Sequence, residues 1–165
     1  MNHNFYLEKF NSALLSIDKK EFEKSGLEFF TGTVLDSVAL KIYKPEWCGD
    51  KQNPLTATSR IFFSVWVNDS TINENKLYYN IHAFKLRQLP DYKITSRDFA
   101  ERFRARFKAQ QKNWPNASVK FGPLTLMQGW TTLSADTLQD NIIMLANNFL
   151  AVCPIIDVTL DLYKS

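Results

Sequence analysis

Residues 59–86, SRIFFSVWVNDSTINENKLYYNIHAFKL, decide the fold that this sequence predicts. Two parts of this stretch, Ser59–Asn68 and Lys76–Leu86, alternate with a period of two and are rich in β-branched and aromatic residues, which is typical of β-strands. The polar residues between them, 68–75, have the composition of a turn. We therefore expect two neighbouring strands that pair in antiparallel fashion.

Three more segments are predicted to be strands. Ser37–Lys44 alternates with the same period, and Val119–Thr132 looks extended, although Gly122-Pro123 and Gly129 must bend or interrupt it. Residues 155–163 also alternate, which predicts a last strand. A short helix opened by Pro154 is the alternative there, because the apolar residues of this stretch also fit helical spacing.

Three segments are predicted to be helices. Residues 4–17 place apolar side chains at mostly helical spacing, and a helix over residues 134–152, capped by Ser134, is expected to stop at Pro154. The third helix covers residues 96–114. Phenylalanines recur in it every four residues and form a stripe that should face the core: Phe99, Phe103 and Phe107.

The order α-β-β-β-α-β-α-β predicts an α+β fold. We expect a mostly antiparallel sheet of about five strands, with about three helices packed mainly on one face. A chain of 165 residues can bury roughly 70% of its unfolded surface, and this one has no internal repeat, low-complexity tract or linker. Residues 1–165 are therefore predicted to form a single globular domain.

Positive charge is concentrated in the helix predicted over residues 96–114. The stretch 95–115 holds six Lys or Arg and two Asp or Glu, a charge of +4, whereas the whole chain carries +3. Four of the cations are expected in open solvent opposite the phenylalanines: Arg97, Arg104, Lys108 and Lys112. Arg102 and Arg106 are expected on a flank of the helix. A solvated helix face is the simplest interpretation, with an anion site or a membrane-surface helix as alternatives.

The polar segment 46–60 is a second candidate region, because loops on a rigid sheet often carry binding sites. It holds Trp47, which we expect to fold over the edge of the sheet, and it ends at Arg60. Cys48 could act as a nucleophile with His82 as its base, but no local signature supports this hypothesis.

A third candidate is one face of the strand predicted over Lys76–Leu86. Alternation places Tyr78, Asn80, His82 and Phe84 on the same side. These side chains either line a pocket or cover a half-exposed face of the sheet.

Several function classes lack their usual signatures. The sequence has no nucleotide-binding, hydrolase or metalloprotease motif. Its two histidines and two cysteines show no ligand spacing, so we expect no metal and no cofactor. The N-terminus does not resemble a signal peptide, and no apolar run approaches the roughly 18 residues of a membrane span. We expect a cytoplasmic protein without a membrane partner.

The sequence does not identify the function. The leading hypothesis is a non-catalytic interaction module that docks a protein partner, or a second copy of itself, through the basic helix or the sheet face. One alternative is a nucleic-acid-associated protein or subunit that uses helix 96–114. Another is a small-molecule binder or enzyme that uses the 46–60 loop and the row of Tyr78, Asn80 and His82. The candidate binding residues are Arg102, Arg106, Trp47, Arg60 and His82.

Overall fold

Five antiparallel strands form one sheet in the order in which they follow along the chain. The computed structural model describes all 165 residues. The strands are β1 (Glu28–Val34), β2 (Ser37–Cys48), β3 (Arg60–Val67), β4 (Lys76–Phe84) and β5 (Thr125–Thr132). Each strand pairs with the next one, so the sheet is a simple meander in which only the connection from β4 to β5 is long.

Three of the five helices form a layer on one face of this sheet. The helices are α1 (His3–Ser16), α2 (Lys20–Lys24), α3 (Asp69–Asn73), α4 (Ser96–Phe107) and α5 (Leu138–Asp161). The layer consists of α1 over β1 and β2, α5 over β3, and α4 over β5. The α+β class and the five-stranded antiparallel sheet are thus confirmed, and the order of the elements agrees broadly with the predicted one.

The pleat of the strands sorts their side chains between the two faces of the sheet. Every inward-facing residue of the three central strands is buried under the helices: Val38, Leu40, Ile42, Ile61, Phe63, Val65, Val67, Leu77, Tyr79, Ile81 and Ala83. The stripe of Phe99, Phe103 and Phe107 on α4 joins the same core, as its spacing predicts.

Helix α5 and strand β2 are joined by aromatic and polar contacts. The ring of Phe149 stacks on Phe63 at 4.7 Å between centroids and meets Trp47 edge-on at 6.0 Å. Asp157 accepts hydrogen bonds from Trp47 Nε1 at 2.9 Å and from Lys44 Nζ at 2.8 Å. The carboxylate thereby satisfies two polar groups at the edge of the core.

The strand predicted over residues 155–163 is wrong, because α5 continues through Pro154 to Asp161. An interior proline costs a helix about 3 kcal/mol. The helical path buries Ile156 and Leu160, which contributes about 1.5–3 kcal/mol for each side chain and offsets that cost. The fifth strand is instead β1, which the sequence pattern did not predict.

Other predicted boundaries also differ from the structure. Helix α5 begins at Leu138 and not at a cap on Ser134, and β5 begins at Thr125. Helix α4 ends at Phe107, and residues 108–114 form turns, including a short 3₁₀ helix at Gln111–Asn113. The stretch predicted as a turn contains α3, whose start is capped by Asn68. The Asn68 side chain accepts a hydrogen bond from the Thr71 amide, and Thr71 Oγ1 accepts one from the Asn68 amide. The predicted antiparallel pairing of the flanking strands is confirmed.

Gly129 was expected to bend or interrupt the extended segment Val119–Thr132, but β5 continues through it. It lies within β5, where a Cβ atom would come within 2.6 Å of Tyr79 Cζ and 2.8 Å of the Pro115 carbonyl oxygen. The glycine therefore makes room for the Tyr79 hydroxyl, which donates a hydrogen bond to that carbonyl at 2.6 Å.

Helix α5 has the length and apolar composition of a membrane span, although the sequence was expected to contain no such segment. Much of its surface is used inside the fold, since its buried side chains pack against the sheet, α1 and α4. A core helix of this kind meets the same criteria of length and composition as a membrane span.

Phe149→Ala is expected to lower the free energy of unfolding by about 3–5 kcal/mol, because it removes a fully buried ring and leaves a cavity against Phe63. Urea titration followed by circular dichroism measures the loss. The control is Leu15→Ala, at a side chain that is 82% exposed on α1, which should change stability by less than about 0.5 kcal/mol. Similar values for the two variants would contradict the role assigned to the Phe149 contact.

Candidate binding site on the outer face of the sheet

The face of the sheet opposite the helix layer, here called the outer face, carries side chains in rows that cross the strands. The register of β2, β3, β4 and β5 aligns a polar row made of Lys41, Ser64, Asn80 and Gln128. An aromatic row lies on each side of it. One consists of Trp66, Tyr78 and Trp130, and the other of Tyr43, Phe62 and His82.

The middle of the polar row is buried, although no helix covers it. Asn80 is 2% exposed, Ser64 is 7% exposed and Lys41 is 9% exposed. The two aromatic rows shield these groups, since Trp66 stacks on Tyr78 at 5.5 Å between centroids on one side. A solvent-facing side of an antiparallel sheet normally carries hydrated polar residues. Here polar groups are buried between aromatic rings, and this departure from a hydrated face makes the outer face a candidate binding surface.

Two cations flank the ring of Phe62. Lys41 Nζ lies 4.7 Å from its centroid, and the Arg60 guanidinium lies 5.2 Å from it and 5.0 Å from that of Phe84. Neither cation has a carboxylate within ion-pair distance. Burial and the nearby charge of Arg60 both lower the pKa of Lys41. The positive charges of Lys41 and Arg60 are therefore not neutralised by a direct ion pair, although Glu28 lies on the same face beside Tyr43.

With the Asn80 amide oriented so that its Nδ2 faces the ring, one tautomer of His82 fits its hydrogen bonds. Its Nε2 lies 2.9 Å from Asn80 Nδ2, which can only donate, so Nε2 is the acceptor. The proton is then on Nδ1, which lies 3.3 Å from the Leu124 carbonyl oxygen. Burial lowers the pKa of His82, and the charges of Lys41 and Arg60 lower it further, although the bond to Leu124 opposes them. His82 is thus held neutral.

Two buried polar atoms of this face have no partner. Asn80 uses its Nδ2 for His82 and for Gln128 Oε1 at 3.2 Å, which leaves its Oδ1 without a donor. Arg60 donates through Nη1 to the Ala57 carbonyl oxygen at 2.6 Å, but its Nε is unpaired. Both atoms therefore have no partner within the chain, and either ordered water or a bound ligand would supply one.

The outer face contains a shallow depression of about 200 Å³. Its floor and walls include Lys41, Phe62, Ser64, Trp66, Asn80 and His82. Two larger depressions, of about 380 and 520 Å³, lie where β2 meets the C-terminal segment. Lys44 and Lys164 in these depressions are paired, with Asp157 and Asp161, whereas the exposed Lys51 is not. The depression on the outer face differs because its unpaired lysine, Lys41, is buried.

The structure brings together two of the five predicted binding residues, Arg60 and His82. Trp47 lies instead in the core, because β2 extends through an irregular register to Cys48 and carries it past the predicted loop. The prediction of a loop tryptophan at the sheet edge is therefore wrong. A loop begins only after Cys48 and reaches β3 at Arg60.

Cys48 has no base beside it. Its thiol donates to the carbonyl oxygens of Pro45 at 3.1 Å and Asp50 at 3.2 Å, and burial raises its pKa. The hydrogen bonds of His82 go to Asn80, Leu124 and Thr125. The hypothesis of a Cys48–His82 pair therefore finds no support in the geometry, since an unactivated thiol is a poor nucleophile.

Arg102 and Arg106 lie on α4, within the helix layer, and their contacts are local. Arg102 pairs with Asp98 at 3.1 Å and lies over the ring of Tyr163 at 5.9 Å. Arg106 donates to the Arg102 carbonyl oxygen at 3.3 Å. The Asp98 carboxylate also accepts a hydrogen bond from the Tyr163 hydroxyl, so the start of α4 is tied to the C-terminal segment.

Arg104 was predicted to lie in open solvent, and this prediction is wrong. Its guanidinium donates to four backbone carbonyl oxygens at 2.9–3.1 Å, those of Phe121, Gly122, Thr125 and Leu126. The loop before β5 folds over the helix and satisfies the charge with carbonyl dipoles. One cation of the basic helix, Arg104, therefore holds this loop in place.

The sequence analysis missed Lys41, Phe62, Trp66 and Trp130 as members of the site. The signal was present in the alternation of the strands, since the side chains opposite the core set include aromatic residues where a hydrated face would be polar. Asn80, His82 and Tyr78 were correctly placed on a common face. No three His, Cys, Asp or Glu side chains converge as a metal site would require.

Arg104→Ala is expected to lower the free energy of unfolding by about 2 kcal/mol, because it leaves several carbonyl groups without their donor. Hydrogen exchange of the amides in residues 118–128 should accelerate with it. The control is Arg106→Ala, whose side chain bonds only one carbonyl of its own helix and should cost less than about 0.5 kcal/mol. Equal effects of the two substitutions would refute the loop-anchoring role.

The stability of the protein is expected to fall as the pH is lowered through the unfolded-state pKa of His82, about 6.5. The folded state holds this pKa lower, so the unfolded state binds the proton first and unfolding is favoured in acid. Urea midpoints measured from pH 7.5 to pH 5 should show a smaller decline in His82→Gln. The other histidine supplies the control, and His3→Gln should retain the decline of the parent protein.

We compared the chain with protein-family models, curated proteins and solved structures. No protein-family model matches this chain, and no curated protein or solved structure is significantly similar to it.

Proposed function

We propose that this protein is a non-catalytic binding module and that the outer face of its sheet docks a protein partner. The observation that carries the proposal is the uncovered face itself, where two aromatic rows enclose cations without acidic partners. Protein interfaces are enriched in aromatic residues and arginine. The outer face offers both on a regular sheet, which is a rigid platform for recognition.

Leu35 provides a second argument for docking. It lies in the two-residue turn between β1 and β2, beside the depression, and its side chain is 94% exposed. Its φ angle is +55°, a conformation that glycine or asparagine adopts more easily. A leucine here costs about 1 kcal/mol of backbone strain and buries nothing within the fold. We infer that its side chain is kept for contact with a partner.

The absence of an activated nucleophile favours binding over catalysis. The Cys48 thiol has a raised pKa, and His82 already uses both ring nitrogens in hydrogen bonds. The basic helix is the weaker docking candidate, because Arg102 is paired and Arg104 is committed to a loop. These contacts likewise weaken the alternative of nucleic-acid binding through α4.

Leu35→Asn is expected to abolish partner capture while raising the free energy of unfolding by up to about 1 kcal/mol, since asparagine tolerates the positive φ angle. The immobilised protein is incubated with an extract of its source cells, and the retained proteins are quantified by mass spectrometry. A partner should be held by the parent protein and by Arg102→Ala/Arg106→Ala, but lost from Leu35→Asn.

The control for surface leucines is Leu15→Gln on α1, which should keep the partner. Capture that survives Leu35→Asn and fails in the α4 double variant would place the interface on the basic helix and overturn the proposal. Sedimentation analysis tests for self-association. A dimer that Leu35→Asn dissociates would identify a second copy of the chain as the occupant, against the partner proposed here.

A further inference from the structure

We infer that Lys41 and Arg60 form an anion site that receives an acidic side chain of the docked protein segment. This inference rests on the proposed docking function and names the chemistry of the partner. The two cations lie against the same Phe62 ring, one near its centroid at 4.7 Å and the other at 5.2 Å. An acidic group that docks beside that ring would approach the positive charge of both side chains.

The first step of the argument is the cost of an unpaired buried cation. Lys41 is 9% exposed and lies in the middle of β2, yet no carboxylate pairs with it. Lysine side chains normally extend to water or are paired when buried. Contact with an aromatic face returns only part of the lost hydration. A carboxylate from outside would provide the missing charge.

The second step comes from the vacant hydrogen-bonding atoms. Arg60 Nε is a buried donor without an acceptor, and Asn80 Oδ1 is a buried acceptor without a donor. A peptide segment carries groups of both kinds, because an Asp or Glu side chain supplies an acceptor and the backbone N–H supplies a donor. A charge-assisted bond from a guanidinium to a carboxylate is among the stronger hydrogen bonds in proteins.

The third step favours an acidic peptide over a nucleic acid. Single-stranded nucleic acids are usually bound along grooves in which positive charges follow the backbone. The outer face offers two unpaired cations beside one ring, while the third, Lys76, lies 3.5 Å from Glu74. A site with two cations at one place suits one or two carboxylates rather than a chain of phosphates.

Lys76 also provides a matched control. Like Lys41 it projects from a strand over an aromatic ring, with Nζ 4.3 Å from the centroid of Trp130. Unlike Lys41 it has an acidic neighbour in the chain. Lys76→Met therefore removes a cation of the same face without removing the unpaired charge.

The test is a peptide-display selection on the parent protein with a random library, followed by synthesis of the best peptide and of its twin with Asp→Asn and Glu→Gln. The selected pool should be enriched in Asp and Glu. By fluorescence anisotropy, the acidic peptide should bind about tenfold more tightly than its twin. Lys41→Met and Arg60→Met should each remove this preference, and Lys76→Met should keep it.

The variants also report on their own folding. Lys41→Met replaces an unpaired buried charge by an apolar side chain of similar length, so its urea midpoint should not fall. A lower midpoint together with lost binding would show a structural role for Lys41 and would overturn the inference. A pool without acidic enrichment, or a preference that survives both substitutions, would also overturn it.

The two proposals fail in distinguishable ways. Equal binding of the acidic peptide and its twin, lost in Leu35→Asn, would leave docking intact and refute the anion site. An acidic preference that depends on Lys41 and persists in Leu35→Asn would support the anion site and argue against the leucine contact. Tighter binding of an oligothymidylate than of the acidic peptide, again dependent on Lys41 and Arg60, would assign the site to phosphate and refute the carboxylate.

Discussion

The stack of Phe63 on Phe149 is the contact on which the layer arrangement depends. It joins the central strand β3 to the longest helix, α5, and it fixes which side of β3 faces the core. Because successive strand residues point to opposite faces, burying Phe63 forces Phe62 and Ser64 outward. Residues paired across neighbouring strands point to the same face, so Lys41 on β2 and Asn80 and His82 on β4 also point outward. One aromatic contact in the core thus determines the composition of the outer face.

A sheet with helices on one side only must keep its other side stable in water. This chain does so by covering its polar row with rings and lysine side chains rather than with a second helix layer. Such a face is well ordered without a ligand and still presents apolar area, so a partner can dock without ordering a flexible surface first. The depression is shallow because its walls are side chains of the sheet itself, with no second layer above them.

The sequence predicted the fold class because inward and outward side chains alternate regularly along β3 and β4. The same alternation predicted that Tyr78, Asn80 and His82 share a face. The prediction failed where apolar residues fit both the period of a strand and that of a helix. Ile156 and Leu160 fit both a strand and a helix, and only burial against the sheet decides between them. The path of the loop over Arg104 and the strand extension that buries Trp47 are tertiary contacts, which local patterns do not encode. Strand β1 escaped detection because Phe29 and Phe30 are adjacent and obscure the alternation.

Four lysines of this protein lie over aromatic rings, and two of them, Lys9 and Lys41, have no carboxylate partner. Of these two, only Lys41 is buried. Lys44 lies 5.3 Å from the centroid of Trp47; burial opposes its charge, but the hydrogen bond to Asp157 and the charge of that carboxylate raise its pKa. Lys76 has Glu74 beside it. Lys41 has the same kind of aromatic neighbour but no acid, and its pKa is lowered by burial and by Arg60. The fold supplies carboxylates to two of its four ring-bound lysines. Lys9, over Phe5, also lacks one but is only half-buried, so Lys41 is the buried lysine without an acidic partner. An apolar residue at that position would be at least as stable in the isolated chain. An acidic group of a docked partner, as proposed, would supply the charge that the chain itself does not place beside Lys41.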